Sequence, residues 1–352
     1  MALAPFGRTL IPRMRQLHCQ RRYARLLAER WQSTLPGRAL PALATLPLPV
    51  QPAGAGTAGP LLAAAEHVSR LRLAGLPGTG RSLAVKQLLL AWANGETRLA
   101  CTPIYIHLPT TTLDPDEAFR AELSAVGFDT DPIVIERGFA SGLWMPVLDD
   151  WDGAPEIRQL VWRKWLLHLA SRYPVLRALA VTGPEAGEWP DFSEYAMSPV
   201  TPALLERWLA HLLPGEEPEL LLGPLLTDER LRPLGERLLD VVALALTYER
   251  SGFPSNRARL YATTLDLILR PLAGPELPRV RTSLAALGFQ VLSGNPPPLL
   301  PPELRPLADQ LGGLVAVDQH QRLHFAHPCF LAFCAGLYLA TGGKLGEFDS
   351  AA

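Results

Sequence analysis

The sequence predicts an α/β core, a parallel sheet with helices on both faces, followed by a helical domain and then a winged-helix domain. Three observations carry this prediction. Short apolar runs at 71–74, 104–108, 145–148 and 176–181 alternate with helical stretches such as 83–92 and 156–171. Strands that alternate with helices argue for parallel pairing. Beyond Pro184 the strand pattern stops, and helices broken by Pro and Gly follow at 202–213, 231–249, 257–269, 282–292 and 302–311. Finally, the segments 314–317 and 322–325 flank a polar turn as a β-hairpin would and lead into a helix from Pro328, the order of a winged helix.

The elements fall into place along the chain as follows. The first 40 residues are rich in arginine (Arg8, Arg13, Arg15, Arg21, Arg22, Arg25, Arg30 and Arg38) against a single Glu29. An organelle transit peptide and a folded leading helix both fit that composition. The helix reading gains from Tyr23, Leu27 and Trp31, spaced to share one face. The Pro-, Gly- and Ala-rich stretch 36–60 reads as a linker. Residues 1–65 thus form a leading helix plus linker, 66–185 the α/β core, 186–275 the helical domain, 276–342 the winged helix and 343–352 a tail. Pro146 lies inside the third core strand, where it removes a ladder donor, so a bulge or an unpaired stretch is expected there.

Composition narrows the function classes. Of 352 residues, 48% are hydrophobic and 19% charged, ample for a buried core. Thirty-three Lys plus Arg against 34 Asp plus Glu leave a net charge of −1, so no basic field for nucleic acid is expected. No uninterrupted apolar run reaches about 18 residues, so no membrane-spanning helix is expected. The four cysteines (Cys19, Cys101, Cys329, Cys334) form no Cys-x-x-Cys pair. Reduced thiols in the cytoplasm are the reading this favours.

The most informative stretch is Gly75-Leu76-Pro77-Gly78-Thr79-Gly80-Arg81-Ser82. It has the spacing of a phosphate-binding P-loop, G-x-x-x-x-G-K-[ST], with Arg81 at the lysine position. Glycines let successive backbone N–H groups face a phosphate, and the following helix adds its positive N-terminus. In this reading Ser82 offers a hydroxyl to Mg²⁺ and position 81 a cation to the β/γ-phosphates. An ordinary Gly-Pro turn is the competing account; a strand before and a helix after favour phosphate. Only three lysines occur, Lys86, Lys164 and Lys344. A guanidinium is planar and bulkier than an ammonium, so Arg81 is not a conservative replacement.

A second element is Pro146-Val147-Leu148-Asp149-Asp150-Trp151-Asp152-Gly153. An Asp at the end of an apolar strand is where a P-loop protein holds its metal, which makes Asp149 the metal candidate. A polar turn explains Asp-Asp and Asp-Gly equally well in isolation.

With both motifs in place, the chain resembles the NACHT family of signal-transduction ATPases with numerous domains. That family's P-loop is matched by Gly75 to Ser82, and its acidic strand motif by Asp149 to Gly153, with Gly153 where the family has Glu. Gly183, in Val181-Thr182-Gly183-Pro184, stands where the family's sensor arginine would be. The segment Gly252-Phe253-Pro254 resembles the one whose proline lies against adenine. Leu323-His324-Phe325-Ala326-His327-Pro328-Cys329-Phe330 resembles the signature whose histidine, here His327, reaches the ADP β-phosphate. Ala332 replaces an acidic residue usual in the helix that follows.

The resemblance implies a nucleotide switch that takes ATP or ADP with Mg²⁺. Gly75, Gly78, Thr79, Gly80, Arg81, Ser82, Pro254 and His327 would bind nucleotide, Ser82 and Asp149 would hold metal, and Asp152 would remain as the candidate to position water. Adenine nucleotide is the expected partner, with self-association or a separate effector or sensor protein beside it. Arg81, Gly153, Gly183 and Ala332 point to an ATPase that is slow at most, and the alternative is a scaffold without turnover. DNA binding through the winged helix is disfavoured, because 328–340 carries no Lys or Arg.

Overall fold

The computed structural model describes residues 21–26, 40–54, 56–213, 218–293, 299, 301, 304–305, 314–317, 322–325 and 327–342. Its contacts separate two units. The first includes Leu48–Gly75 and Arg81–Met197, and the second includes Leu76–Gly80 and the chain from Ser198. Helix α1 (Leu40–Thr45) belongs to the second.

The first unit is built on a seven-stranded sheet. Its strands are β1 (Pro49–Pro52), β2 (Gly59–Pro60), β3 (Arg70–Ala74), β4 (Thr102–His107), β5 (Trp144–Asp149), β6 (Ala178–Thr182) and β7 (Ser193–Met197). The spatial order is β2-β1-β7-β3-β6-β5-β4. The five strands from β7 to β4 run parallel, whereas β1 pairs antiparallel with both β7 and β2. Helices α2 (Leu61–His67), α3 (Arg81–Ala93), α4 (Pro115–Ala125), α5 (Pro132–Ala140) and α6 (Glu156–Arg172) belong to the same unit. The predicted parallel core is therefore present.

Three expectations are corrected. Part of the supposed linker, 49–52 and 59–60, forms β1 and β2 and extends the sheet. Proline disguises them as coil, but it is tolerated at strand ends and sheet edges, where Pro49, Pro52 and Pro60 lie. Strands also continue past Pro184, because β7 inserts between β1 and β3. Its sequence, Ser-Glu-Tyr-Ala-Met, has no fully buried residue and so lacks an apolar signature. The third correction is to the bulge expected at Pro146, which sits in unbroken register opposite Ile104 of β4, whereas the unpaired alternative holds on the β6 side. Pairing of β5 with β6 starts only at Val147, one residue beyond the missing N–H.

Local chemistry sets the helix starts. Asp114 caps α4 by accepting from the Asp116 and Glu117 N–H groups, Asp131 caps α5, and both helices open with proline. Phe119, Phe139, Trp165 and Tyr173 pack together beneath them, with Phe119 and Phe139 centroids 5.0 Å apart. Residues 21–26 are helical, and Tyr23 is buried, its hydroxyl accepting the Tyr105 N–H at 2.7 Å. Leu27 and Trp31 lie outside the described residues.

The second unit is helical. It contains α7 (Pro202–Leu212), α8 (Glu219–Thr227), α9 (Arg232–Gly235), α10 (Leu238–Ser251), α11 (Arg257–Ala273), α12 (Leu277–Leu292) and α13 (Pro328–Ala340). The helix expected at 231–249 is split, because Arg237 adopts an extended conformation between α9 and α10. Buried Asp240 joins α10 to α11, accepting from Tyr261 Oη at 2.5 Å and Arg257 Nε at 2.8 Å. Strands β8 (Val315–Val317) and β9 (Leu323–Phe325) pair antiparallel ahead of α13. Most of the helix expected at 302–311, and the hairpin turn 318–321, lie outside the described residues. Among the described residues no helix is long and apolar enough to cross a membrane.

Candidate functional site

Strand β3 is buried from Leu71 to Ala74 and delivers the chain into the glycine loop. Gly75 donates its N–H to Thr182 O at 3.2 Å, which fixes the loop's start beside the end of β6. Gly78 and Gly80 have φ of +86° and +100°, a region that side-chain-bearing residues rarely adopt. Thr79 closes the turn by donating its hydroxyl to Leu76 O at 2.8 Å. Helix α3 then begins at Arg81, so the loop ends on unpaired N–H groups and the positive end of a helix dipole. Gly78 O accepts the Leu239 N–H at 3.0 Å.

Because β3, β5 and β6 are parallel, their carboxyl ends share one edge, the place where open α/β sheets take ligands. Ser82 and Asp149 meet there. Ser82 Oγ donates to Asp149 Oδ1 at 2.9 Å, the Asp150 N–H donates to the same oxygen at 2.8 Å, and Tyr105 Oη donates to Oδ2 at 2.9 Å. Asp149 is 1% exposed. Burial first, and then the Asp149 charge and hydrogen bond, push the Tyr105 phenol well above its usual pKa, which keeps it a donor. Asp150, left-handed at φ +55°, turns its Oδ2 toward His107 Nε2 at 3.4 Å. Lys86 lies one helical turn beyond Ser82. Burial lowers its ammonium pKa, and the charges of Asp149 and Asp150 oppose that shift.

Arg81 departs most from expectation. Its guanidinium does not stand free over the loop: it donates to Thr182 O and to Asp152 Oδ2, the latter at 3.0 Å. Asp152 Oδ1 in turn accepts the Gly183 N–H at 2.6 Å. The carboxylate expected to position water is thus bonded through both oxygens. The two glycines at unusual positions make room for this arrangement. A Cβ on Gly183 would lie 2.7 Å from Asp152 Oδ1, and one on Gly153 would lie 2.6 Å from Asp150 Oδ2.

Sequence reasoning missed Arg72, Tyr105 and Lys86. Arg72 is 4% exposed and ties the middle of β3 to β6 and β7, donating to Thr182 Oγ1 at 2.8 Å, Gly183 O at 3.1 Å and Glu194 Oε2 at 3.0 Å. An arginine inside an otherwise apolar strand was the available signal. Pro254 and His327 belong to the second unit. Pro254 is half-buried and follows Gly252, which caps α10 at φ +61°. His327 is the N-cap of α13, where Nδ1 accepts the Cys329 N–H at 3.1 Å.

P-loop ATPases generally take their nucleotide with Mg²⁺, an ion usually bound through one or two carboxylates plus phosphate oxygens. The side chains at this edge do not suit it. Asp149 accepts three hydrogen bonds and Asp152 is held by Arg81 and Gly183, while Asp150 Oδ2, buried without a hydrogen-bond partner, is enclosed between Gly153 and His107. Among the described residues no group of three or more His, Cys, Asp or Glu could hold a metal ion.

No family model matches the sequence, and no curated protein matches it. Solved structures do. A signal-transduction ATPase with numerous domains and a tetratricopeptide-repeat sensor, from Pyrococcus horikoshii, is 15% identical with a TM-score of 0.43. That match covers 78% of this chain, which spans only 41% of the archaeal protein. The ORC1 protein of Aeropyrum pernix, solved in complex with DNA, is 16% identical over 87% of this chain and 95% of its own, with a TM-score of 0.39. A Walker-type ATPase of Pyrococcus abyssi is 14% identical over 78% of this chain and 93% of its own, also at 0.39. Sheet order, loop conformation and the Ser82–Asp149 pair together say what this part of the molecule is. The chain has an α/β core whose glycine loop has the spacing and backbone conformation of a P-loop.

Proposed function

We propose that the chain is an adenine-nucleotide-binding switch module of NACHT-like type, with slow or absent ATP hydrolysis. The observation that carries this reading is the contrast between the loop's backbone and its side chains. Gly78 and Gly80 keep the conformation of a phosphate cradle ahead of α3, while Arg81 and Asp152 are bonded to each other and to the end of β6. Backbone N–H groups and a helix N-terminus bind phosphate without help from a lysine. Hydrolysis needs more, namely a cation on the γ-phosphate and a group that orients water. The two side chains best placed for those tasks are already committed elsewhere.

In this proposal the N–H groups from Gly78 to Ser82 hold the phosphates. Pro254 lies against the adenine, and His327 donates from Nε2, since Nδ1 is an acceptor in the cap of α13. Residues 186–275 act as the helical domain and 276–342 as a winged helix, and the output passes through self-association or a separate effector or sensor protein. Gly80→Asp tests the reading, because it puts a carboxylate into the cradle and a side chain at φ +100°. ADP and ATP binding by calorimetry should be lost in a variant whose circular dichroism is unchanged. Undiminished affinity would show the loop to be a structural turn.

A further inference from the structure

We infer that this chain binds its nucleotide without a divalent cation, Asp149 and Asp152 at the sheet edge being closed by the protein itself. The inference rests on the nucleotide-binding reading above and says what that site requires.

Two of the three acidic side chains at the end of β5, Asp149 and Asp152, have protein partners where a metal would need an open lone pair. Asp149 Oδ1 takes two hydrogen bonds, from Ser82 Oγ and the Asp150 N–H, and Oδ2 takes one from Tyr105. At 1% exposure the single lone pair left on Oδ2 is sealed from solvent. Asp152 is closed by Arg81 on one oxygen and the Gly183 N–H on the other. Asp150 Oδ2 is buried without a hydrogen-bond partner, but it is turned under Gly153 and toward His107 by a left-handed backbone, packed where a hydrated ion has no room. Apart from that enclosed oxygen, what remains for a metal is the lone pairs of the Ser82 hydroxyl. One neutral ligand is a poor anchor for an ion as strongly hydrated as Mg²⁺.

Charge points the same way. Arg81 is paired with Asp152 at 3.0 Å, so a positive charge is already present at this edge as a guanidinium. Tyr105 completes the closure by presenting a proton, not a lone pair, to Asp149. A phosphate chain entering the cradle meets N–H donors and the helix dipole, and these need no metal.

Equilibrium titration of the full chain with fluorescent ADP and with ATP, in Mg²⁺ and in excess EDTA, tests this. Dissociation constants within about twofold of each other in the two buffers are expected, since a factor of ten would correspond to about 1.4 kcal/mol of metal contribution. Binding at least tenfold weaker in EDTA and restored by Mg²⁺ would overturn the inference while leaving the nucleotide reading intact. No binding in either buffer would overturn both. As a second measurement, Tyr105→Phe removes the proton presented to Asp149 Oδ2, and Mg²⁺ should then strengthen ADP binding severalfold. A variant as insensitive to Mg²⁺ as the parent would overturn the closure of Asp149 as the reason.

Discussion

Arg81 and Asp152 form an ion pair at 3.0 Å with the arginine 9% exposed, and each also bonds to the backbone at the end of β6. Removing one partner strands a desolvated charge, which costs more than the pair contributes. Asp152→Ala should therefore destabilise the protein by about 2 kcal/mol, a value kept low because Asp152 is partly solvated. Adding Arg81→Met should restore part of the loss, and urea denaturation of the single and double variants measures both. A neutral Asp152→Ala would mean that the carboxylate is free for other work, as its sequence position suggests. The motif spacing made the loop, Ser82 and Asp149 readable, because those roles depend on local order along the chain. It could not show where a long side chain turns. Arg81 at the lysine position reads as a phosphate ligand until Asp152, 71 residues on, is seen to hold it.

Elements with an apolar signature were legible, and those without one were not. The alternation of buried strands with helices announced β3, β4, β5 and β6, each lined by residues of low exposure. Strand β7 and the pair β1–β2 join the same sheet through backbone hydrogen bonds, which leave no trace in hydropathy. In the second unit, the contact of α12 with α13 depends on Gly288. A Cβ there would stand 2.9 Å from Cys334 Cβ and 3.0 Å from the Ala335 nitrogen. Ala in place of Gly favours an isolated helix by about 1 kcal/mol, but overpacking here should outweigh that. Gly288→Leu leaves no such balance: a clear drop in melting temperature is expected, and an unchanged one would show that the two helices can separate. His327 also acts at this scale. His327→Ala removes the N-cap of α13, at a cost of about 1 kcal/mol in thermal or chemical denaturation. If the residue also reaches the ADP phosphate, the same variant should weaken ADP more than ATP.

For the molecule as a whole, the question is whether a P-loop core with these side chains turns over. Transition-state charge on a transferred phosphoryl group must be met by a cation, a metal or oriented donors. Here Arg81 is held by β6 and Asp152, the Asp149 and Asp152 carboxylates are hydrogen-bonded through both oxygens, and Gly183 follows β6 without a side chain. Losing one such group in comparable sites costs a few kcal/mol, and each 1.4 kcal/mol is about tenfold in rate. Two losses, even if not additive, put turnover below ~1 s⁻¹. We therefore expect steady-state phosphate release near background at nucleotide concentrations that saturate binding. Arg81→Lys should raise it only modestly, because the ammonium would regain the phosphates while the other gaps persist. Asp152→Ala should not abolish a basal rate, since its carboxylate is bonded to Arg81 and Gly183 and is not free to orient water. Brisk Mg²⁺-dependent turnover that disappears in Asp149→Ala would contradict this account. It would require the Asp149 hydrogen bonds from Ser82 and Tyr105 to break when nucleotide binds, opening the carboxylate that the present arrangement closes.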